Sequence, residues 1–200
     1  MTDLLRFLES LPPVPLYAII GAFAALENVF PPAPADVAVA LGAFLAGRGT
    51  LDPWIVFAVT WVGNVGSASL VYAVGRRYGR AFFTGRIGRR LLSESTLAHI
   101  EEAYARHGTW GIFVSRLLPV WRAVVPPFAG VARVPAARAI LSMAAASALY
   151  YGTLIFLVAT LGTNFDLVTR VLARANLVLG VVAVVLILLF VRWSYRRLKQ

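Results

Sequence analysis

The sequence contains no cysteine and few charged residues. Without cysteine, disulfide bonds and thiol chemistry are excluded. Charged residues make up 14% of the 200 residues and hydrophobic residues 60%, with a mean hydropathy of +0.77. A soluble domain averages about 25% charged and roughly 45–50% apolar residues. The composition therefore predicts a polytopic membrane protein with one domain, long enough for about four to six membrane segments of roughly 20 residues.

Histidine is also scarce, which bears on enzyme chemistry. The two histidines, His99 and His107, lie eight positions apart, a spacing that does not place two metal ligands on one helix turn. The sequence has no Ser/His/Asp set, no glycine-rich phosphate loop and no HExxH motif. We therefore expect a protein that is not an enzyme and that uses no metal and no cofactor.

The net charge of +10 does not indicate a nucleic-acid partner, because the arginines flank apolar spans, as membrane topology requires. Residues 1–13 lack a basic region followed by a small-residue cleavage site, so we expect no cleaved signal peptide. Their leucines share one face, which predicts an amphipathic helix on the membrane surface.

The apolar segments are of two kinds, uninterrupted spans and segments broken by proline. Residues 54–75, 139–162 and 175–193 are long enough to cross ~30 Å of hydrocarbon, whereas neither half of 16–47 or 110–132 is. The interrupting residues are Pro31, Pro32 and Pro34 in the first broken segment and Pro119, Pro126 and Pro127 in the second. We therefore predict an all-α fold in which both broken segments are re-entrant helical hairpins, lined by protein or water at the break.

Arginine placement orients these segments. The stretch 76–109, with its own amphipathic helix, and the C-terminal tail are rich in arginine and are predicted to be cytoplasmic. Span 54–75 then runs inward and span 139–162 outward. Hairpin 16–47 enters from outside and hairpin 110–132 from the cytoplasm, so hairpin plus span occurs twice in opposite orientation. Inverted repeats with broken helices are typical of transporters, whose site lies near the midplane.

Four charged residues lie within the broken segments: Glu27 and Asp36 in the first, Arg116 and Arg122 in the second. A charge in hydrocarbon costs roughly 2.5–3.5 kcal/mol on insertion scales, and such residues usually mark a pathway or a binding site. We predict that the hairpin tips meet. Arg116 and Arg122 would bind a phosphate, which suits the arginine fork, and Glu27 and Asp36 would couple transport to protons, since desolvated carboxylic acids titrate closer to neutral pH.

Several alternatives remain open at this point. The four charges are also compatible with structural salt bridges between the hairpins, and Asp36 with a helix cap. Asn64, in the middle of a span, belongs either to helix packing or to the pathway, and Pro119 lies at a break that can line it.

Three motifs resemble the DedA family of bacterial inner-membrane proteins, which are related to the SNARE-associated/VTT-domain proteins. Residues 26–36 (LENVFPPAPAD) are similar to the family's FEN-x-x-P-P-x-P-(S/G)-(E/D). Residues 63–79 (GNVGSASLVYAVGRRYG) and 116–134 (RLLPVWRAVVPPFAGVARV) resemble its G-x-x-x-G…Y-x-x-G-R-x-x-G and R-F-x-P-G-x-R-x-x-x-P-x-x-A-G stretches. Val120 departs from a common glycine, and Ala35 from a frequent glycine or serine.

The resemblance implies a multi-pass protein of the bacterial inner membrane that supports envelope maintenance and growth dependent on the proton motive force. Its functional residues would fall on Glu27, Asp36, Arg116 and Arg122. Members are implicated in returning undecaprenyl phosphate to the cytoplasmic leaflet, and eukaryotic relatives scramble phospholipids. We therefore expect a flippase of an anionic lipid phosphate, with undecaprenyl phosphate as the favoured substrate.

Other functions are open on the same residues. These are a proton-coupled antiporter of small solutes or ions that supports drug tolerance, and a phospholipid scramblase. The expected partners are a membrane lipid and protons, with no nucleic acid, and a homo-oligomer is compatible with the sequence.

Overall fold

A computed structural model describes residues 10–30, 34–84, 102, 108–118 and 122–161. Within these ranges the secondary structure is helical and no strand occurs. The named helices are α1 (Pro13–Leu26), α2 (Ala35–Gly47), α3 (Pro53–Thr84), α4 (Val125–Val131) and α5 (Ala136–Leu161), and residues 108–117 are also helical. The described part of the chain thus agrees with the prediction of an all-α protein.

The first broken segment consists of two short helices. Helix α1 has 14 residues and begins at Pro13, in the first turn, where proline is tolerated because its missing N–H would have no helical partner. Helix α2 has 13 residues and follows Pro34. At 1.5 Å per residue each helix measures about 20 Å, less than the ~30 Å of a hydrocarbon core.

The second broken segment is more irregular. The helical stretch 108–117 is followed, after a gap in the described residues, by a turn at 122–124 and the seven-residue helix α4. Pro126 and Pro127 lie in the first turn of α4, where they cost no helical hydrogen bond. Both segments are therefore interrupted near the prolines from which the breaks were predicted. Their re-entry into the membrane from one side stays a prediction.

Helices α3 and α5 contain candidate membrane spans, Pro53–Gly79 and Ala136–Thr160. Helix α3 continues to Thr84, whereas the predicted span ended at residue 75 and a loop followed. The helix continues because residues 76–84 contain no proline, and arginine is a good helix former. Large apolar side chains stay exposed along both helices, as lipid contact requires: Val62, Leu70, Val74, Leu141, Leu149 and Leu157.

The second helix of each broken segment packs against the long helix that belongs to the other predicted repeat. Helix α2 contacts α5, and α4 contacts α3, while α1 also packs on α3. Glycines allow close approach at both exchanged contacts. A Cβ on Gly47 would lie 2.5 Å from the backbone oxygen of Ala159, and one on Gly130 would collide with the backbone oxygen of Tyr72. The inverted repeat itself stays a prediction.

Two apolar clusters stabilise this arrangement. The larger joins α1, α2, α3 and α5 and includes Leu16, Ile20, Val39, Phe44, Val56 and Ile155. The smaller joins α3, the stretch 108–117, α4 and α5 and includes Ala68, Tyr72, Ile112, Val125, Ala129 and Met143. The interfacial helix predicted over 1–13 lies largely outside the described residues, as do most of the 76–109 loop, the span 175–193 and the C-terminal tail, so their placement and the overall orientation stay predictions.

Candidate functional site

The four charged residues of the broken segments come together in one buried cluster. Glu27 caps the C-terminal end of α1 and Asp36 lies in the first turn of α2. Arg116 is near the end of the helical stretch 108–117, and Arg122 lies in the turn before α4. Glu27, Arg116 and Arg122 are 7%, 1% and 4% exposed, so the cluster is almost closed to solvent.

Arg122 contacts both carboxylates. Its NH1 and NH2 groups donate to Oδ1 and Oδ2 of Asp36 at 3.1 and 2.8 Å, a bidentate pair. NH2 also lies 3.4 Å from Oε1 of Glu27. The positive charge of Arg122 is thereby compensated by two acidic groups in a site that is nearly dry.

Two tyrosines of α5 complete the surroundings of this ion pair. The guanidinium carbon of Arg122 lies 4.1 Å from the ring centroid of Tyr150, a cation–π distance. The hydroxyl of Tyr151 donates to Oε2 of Glu27. Helix α5 thus contacts Arg122 with one aromatic face and Glu27 with one hydroxyl.

Asn64, in the middle of α3, connects the acidic and basic groups. Its Nδ2 donates to Oε2 of Glu27 at 3.1 Å, and its Oδ1 accepts from NH2 of Arg116 at 2.6 Å. Ser147 also donates to that Oδ1 at 2.9 Å. Because arginine only donates and an ionised carboxylate only accepts, these partners determine which way the amide points.

Arg116 is held by neutral groups. Its NH2 donates to Oδ1 of Asn64 and, at 3.4 Å, to Oδ1 of Asn28. In the described part of the chain its Nε and NH1 are buried without a hydrogen-bond partner, and both ion pairs of the cluster involve Arg122 instead. A buried donor without a partner is costly, so these N–H groups are available to a ligand.

The structure places the predicted site residues as follows. Asp36 lies in the first turn of α2, whose N-cap position is occupied by Pro34, and it pairs with Arg122. Asn64 is part of the cluster, and Pro119 lies outside the described residues. The roles predicted for these residues, phosphate binding and proton coupling, stay predictions. Among the described residues no group of three acidic or histidine side chains could hold a metal ion.

Four further residues of the cluster were not singled out from the sequence: Asn28, Ser147, Tyr150 and Tyr151. Asn28 directly follows Glu27, and this position in a broken apolar segment is the signal that could have found it. Ser147 looked like one of several small residues on a packing face. The two tyrosines were indistinguishable by sequence from aromatic residues that face lipid.

A buried charge cluster between two interrupted helical segments, enclosed by two long apolar helices, defines an integral membrane protein with a polar site inside its helical domain. The sequence model of the VTT domain matches residues 32–160. The chain therefore belongs to the VTT-domain family, which confirms the resemblance to the DedA proteins. The match includes Asp36, Asn64, Arg116 and Arg122, whereas Glu27 and Asn28 lie just before it.

Curated relatives support a membrane location. The chain is 29% identical over 141 residues to an uncharacterized membrane protein of Mycobacterium tuberculosis (strain H37Rv), a match that covers 68% of this chain and 64% of that protein. It is 26% identical over 176 residues to an "alkaline phosphatase-like protein" of Lactococcus lactis subsp. lactis, covering 84% and 82% of the two chains. An uncharacterized membrane protein of Synechocystis is 31% identical over 111 residues, covering 56% of this chain and 51% of that protein.

The matched region thus spans about two thirds or less of several relatives, including 64% of the mycobacterial protein. No solved structure matches the chain.

Proposed function

We propose that this protein moves an anionic lipid phosphate between the leaflets of the bacterial inner membrane, with undecaprenyl phosphate as the substrate. One observation carries the proposal. The guanidinium of Arg116 is buried in a membrane domain, and its Nε and NH1 have no hydrogen-bond partner among the described residues. A phosphate group supplies the charge and the acceptor oxygens that such a donor lacks.

The remaining charges suit a site that opens and closes around an anion. Glu27 and Asp36 compensate Arg122 when no substrate is bound. Proton uptake by either carboxylate would weaken the pair that ties the two broken segments together and raise the net positive charge of the cluster in which Arg116 would bind the phosphate. The lipid tail would stay in the bilayer while the head group crosses. Transfer of the anion to the cytoplasmic leaflet runs against a potential that is negative inside, at about 2.3 kcal/mol per elementary charge across 100 mV, so protons that move with the head group would have to offset its charge.

The experiment is a flux measurement in proteoliposomes. A fluorescent polyprenyl phosphate in the outer leaflet is bleached by a membrane-impermeant reductant, and flipped lipid is protected. We expect flux of the phosphorylated lipid in vesicles that contain the protein and no flux of the matching neutral polyprenol. An imposed pH gradient should change the wild-type flux, and Glu27→Gln should remove that change. Equal flux of both lipids would contradict recognition of the phosphate.

A proton-coupled antiporter of small solutes or ions is the second candidate, because a buried arginine–carboxylate pair also suits a small anion. The same vesicles discriminate it: solute counterflow without lipid flux would favour the antiporter. Equal flux of a fluorescent phosphatidylcholine would favour a scramblase.

The name of the Lactococcus relatives, alkaline phosphatase-like protein, raises a third possibility, hydrolysis of a phosphate ester. Release of inorganic phosphate from the polyprenyl phosphate in the same vesicles would overturn the proposal that the protein is not an enzyme.

A further inference from the structure

The two arginines of the cluster are held by chemically different groups. Arg122 is bound by two carboxylates, which leave only its Nε without a hydrogen-bond partner among the described residues, and a tyrosine ring covers its guanidinium. Arg116 is bound by the amide oxygens of Asn28 and Asn64. A carboxylate partner both orients a guanidinium and neutralises it, whereas an amide oxygen orients it and leaves its charge uncompensated.

We infer that Asn28 and Asn64 are positioning residues that determine the ligand class of the site: they hold Arg116 through neutral oxygens, so that Arg116 binds a phosphate monoester while Arg122 serves as a structural ion pair. The inference rests on the proposed function in that a phosphate is the ligand. It goes further by assigning direct contact to Arg116 alone and by adding two asparagines to the site.

Asn28 is oriented by groups that do not touch Arg116. Its Nδ2 donates to the backbone oxygen of Asn64 at 3.0 Å and to Oγ of Ser67 at 2.9 Å. These two acceptors direct its Oδ1 away from α3 and towards Arg116. The side chain is 5% exposed, so water does not compete effectively for this arrangement.

Asn64 is oriented in the same way by groups on three elements: Glu27 accepts from its Nδ2, and Arg116 and Ser147 donate to its Oδ1. Both asparagines therefore present only a carbonyl oxygen to Arg116. Since that contact uses NH2, the Nε and NH1 groups stay open to a second acceptor.

These contacts require a neutral side chain with a carbonyl oxygen at position 28. Aspartate has nearly the shape of asparagine but would bring a negative charge to Arg116 and form an ion pair that Arg116 does not make with the described residues. Asn28→Asp should therefore occupy Arg116 with an internal anion and exclude an external one. Asn28→Ala removes the same hydrogen bond without adding charge, which makes it the matched control.

The test measures binding, not transport, with the full chain purified in detergent. The probes are inorganic phosphate, short-chain dihexanoyl phosphatidic acid and, as the uncharged analogue, dihexanoyl glycerol. We expect the wild type to bind the phosphorylated lipid and not the glycerol. Asn28→Asp and Arg116→Gln should each weaken binding by about tenfold or more, the scale of one hydrogen bond to a charged group, and Asn28→Ala by less.

Arg122→Gln provides the complementary variant and is assayed on the monodisperse fraction. We expect it to retain the phosphate affinity of the wild type within about threefold, which is less than the loss of one such bond. If this variant does not fold, the comparison of Asn28→Asp with Asn28→Ala still decides the matter. Equal losses in those two variants would overturn the inference, as would a wild type that binds neither phosphate probe.

The two phosphate probes distinguish the source of the anion. Binding of phosphatidic acid alone indicates a lipid head group, and equal binding of inorganic phosphate indicates a free anion. Either pattern supports the inference if Asn28→Asp weakens the observed binding. Binding that follows this pattern without lipid flux would contradict the proposed transport and leave the assignment of Arg116 intact.

Discussion

Arg122 and Asp36 are joined by two parallel hydrogen bonds, with NH1 3.1 Å from Oδ1 and NH2 2.8 Å from Oδ2. The residues are 86 positions apart, and each lies next to the interruption of its own segment. This pair therefore ties one broken segment to the other. It leaves Arg116, with its neutral partners, as the group most open to a ligand.

Neutralising Asp36 should destabilise the protein. Asp36→Asn removes one of the two charges that compensate Arg122 and weakens a charged hydrogen bond, at a cost of about 1.5–3 kcal/mol, because Glu27 still faces Arg122. We expect a lower midpoint for thermal loss of monodisperse protein in detergent. Asp52→Asn is the matched control, because Asp52 is exposed and caps α3, a role that asparagine fills equally well. Equal midpoints for the two variants would contradict a structural role for the Arg122–Asp36 pair.

Tyr151→Phe should also destabilise the cluster. The change removes the hydroxyl that donates to Glu27 and leaves a buried carboxylate oxygen with one donor fewer, at a cost of about 1–3 kcal/mol. Tyr78→Phe, at an exposed tyrosine of α3, should change the same thermal midpoint little. The contact between Tyr151 and Glu27 would be energetically unimportant if both variants unfolded at the wild-type temperature.

The glycine contacts between α3 and α4 predict that the yield of folded protein is sensitive to an added methyl group at this interface. A Cβ on Gly130 would collide with the backbone oxygen of Tyr72 and lie 2.7 Å from the backbone nitrogen of Arg76, neither of which can move aside easily. Gly130→Ala should therefore reduce the yield of folded protein. Gly66→Ala faces open space on α3 and should not. Similar yields, measured by fluorescence size-exclusion chromatography, would argue against this close packing.

Substitution of Thr60 tests whether the proposed transport pathway extends along the polar residues of α3. Its hydroxyl is buried and has no hydrogen-bond partner among the described residues, one turn before Asn64. Thr60→Val should leave stability unchanged or raise it by up to about 1 kcal/mol, because a buried unpaired hydroxyl is unfavourable. Ser147→Ala, which loses a real bond to Asn64, should lower it. Reduced lipid flux in a stable Thr60→Val protein would instead place this hydroxyl on the transport path.

The sequence predicted the helical class, the meeting of four charges and three long spans, two of which lie among the described residues. The spans follow from the length of apolar sequence that crosses the hydrocarbon core, and the helix breaks from the missing N–H of proline. The meeting of the charges follows from the free-energy cost of an unpaired charge in hydrocarbon. Asn64 was a candidate site residue for a similar reason, since a polar amide in the middle of a span needs a partner.

The pairing within the cluster could not be predicted. Arg116 and Arg122 are six positions apart on opposite sides of a chain interruption, so helical periodicity does not relate their directions. Arg122 contacts both Glu27 and Asp36, and its bidentate partner is Asp36. Gly75 and Gly79 contact α4, and only the tertiary arrangement shows which helix approaches them.

The central claim is that the buried charges form a transport site and not only a structural clasp. Flux of fluorescent polyprenyl phosphate by Arg116→Gln, expressed per folded molecule in proteoliposomes, tests it most directly, because Arg116 makes no ion pair with the described residues. We expect a folded protein whose flux falls about tenfold or more, the loss expected for one charged hydrogen bond. Wild-type flux in a correctly folded Arg116→Gln protein would contradict it.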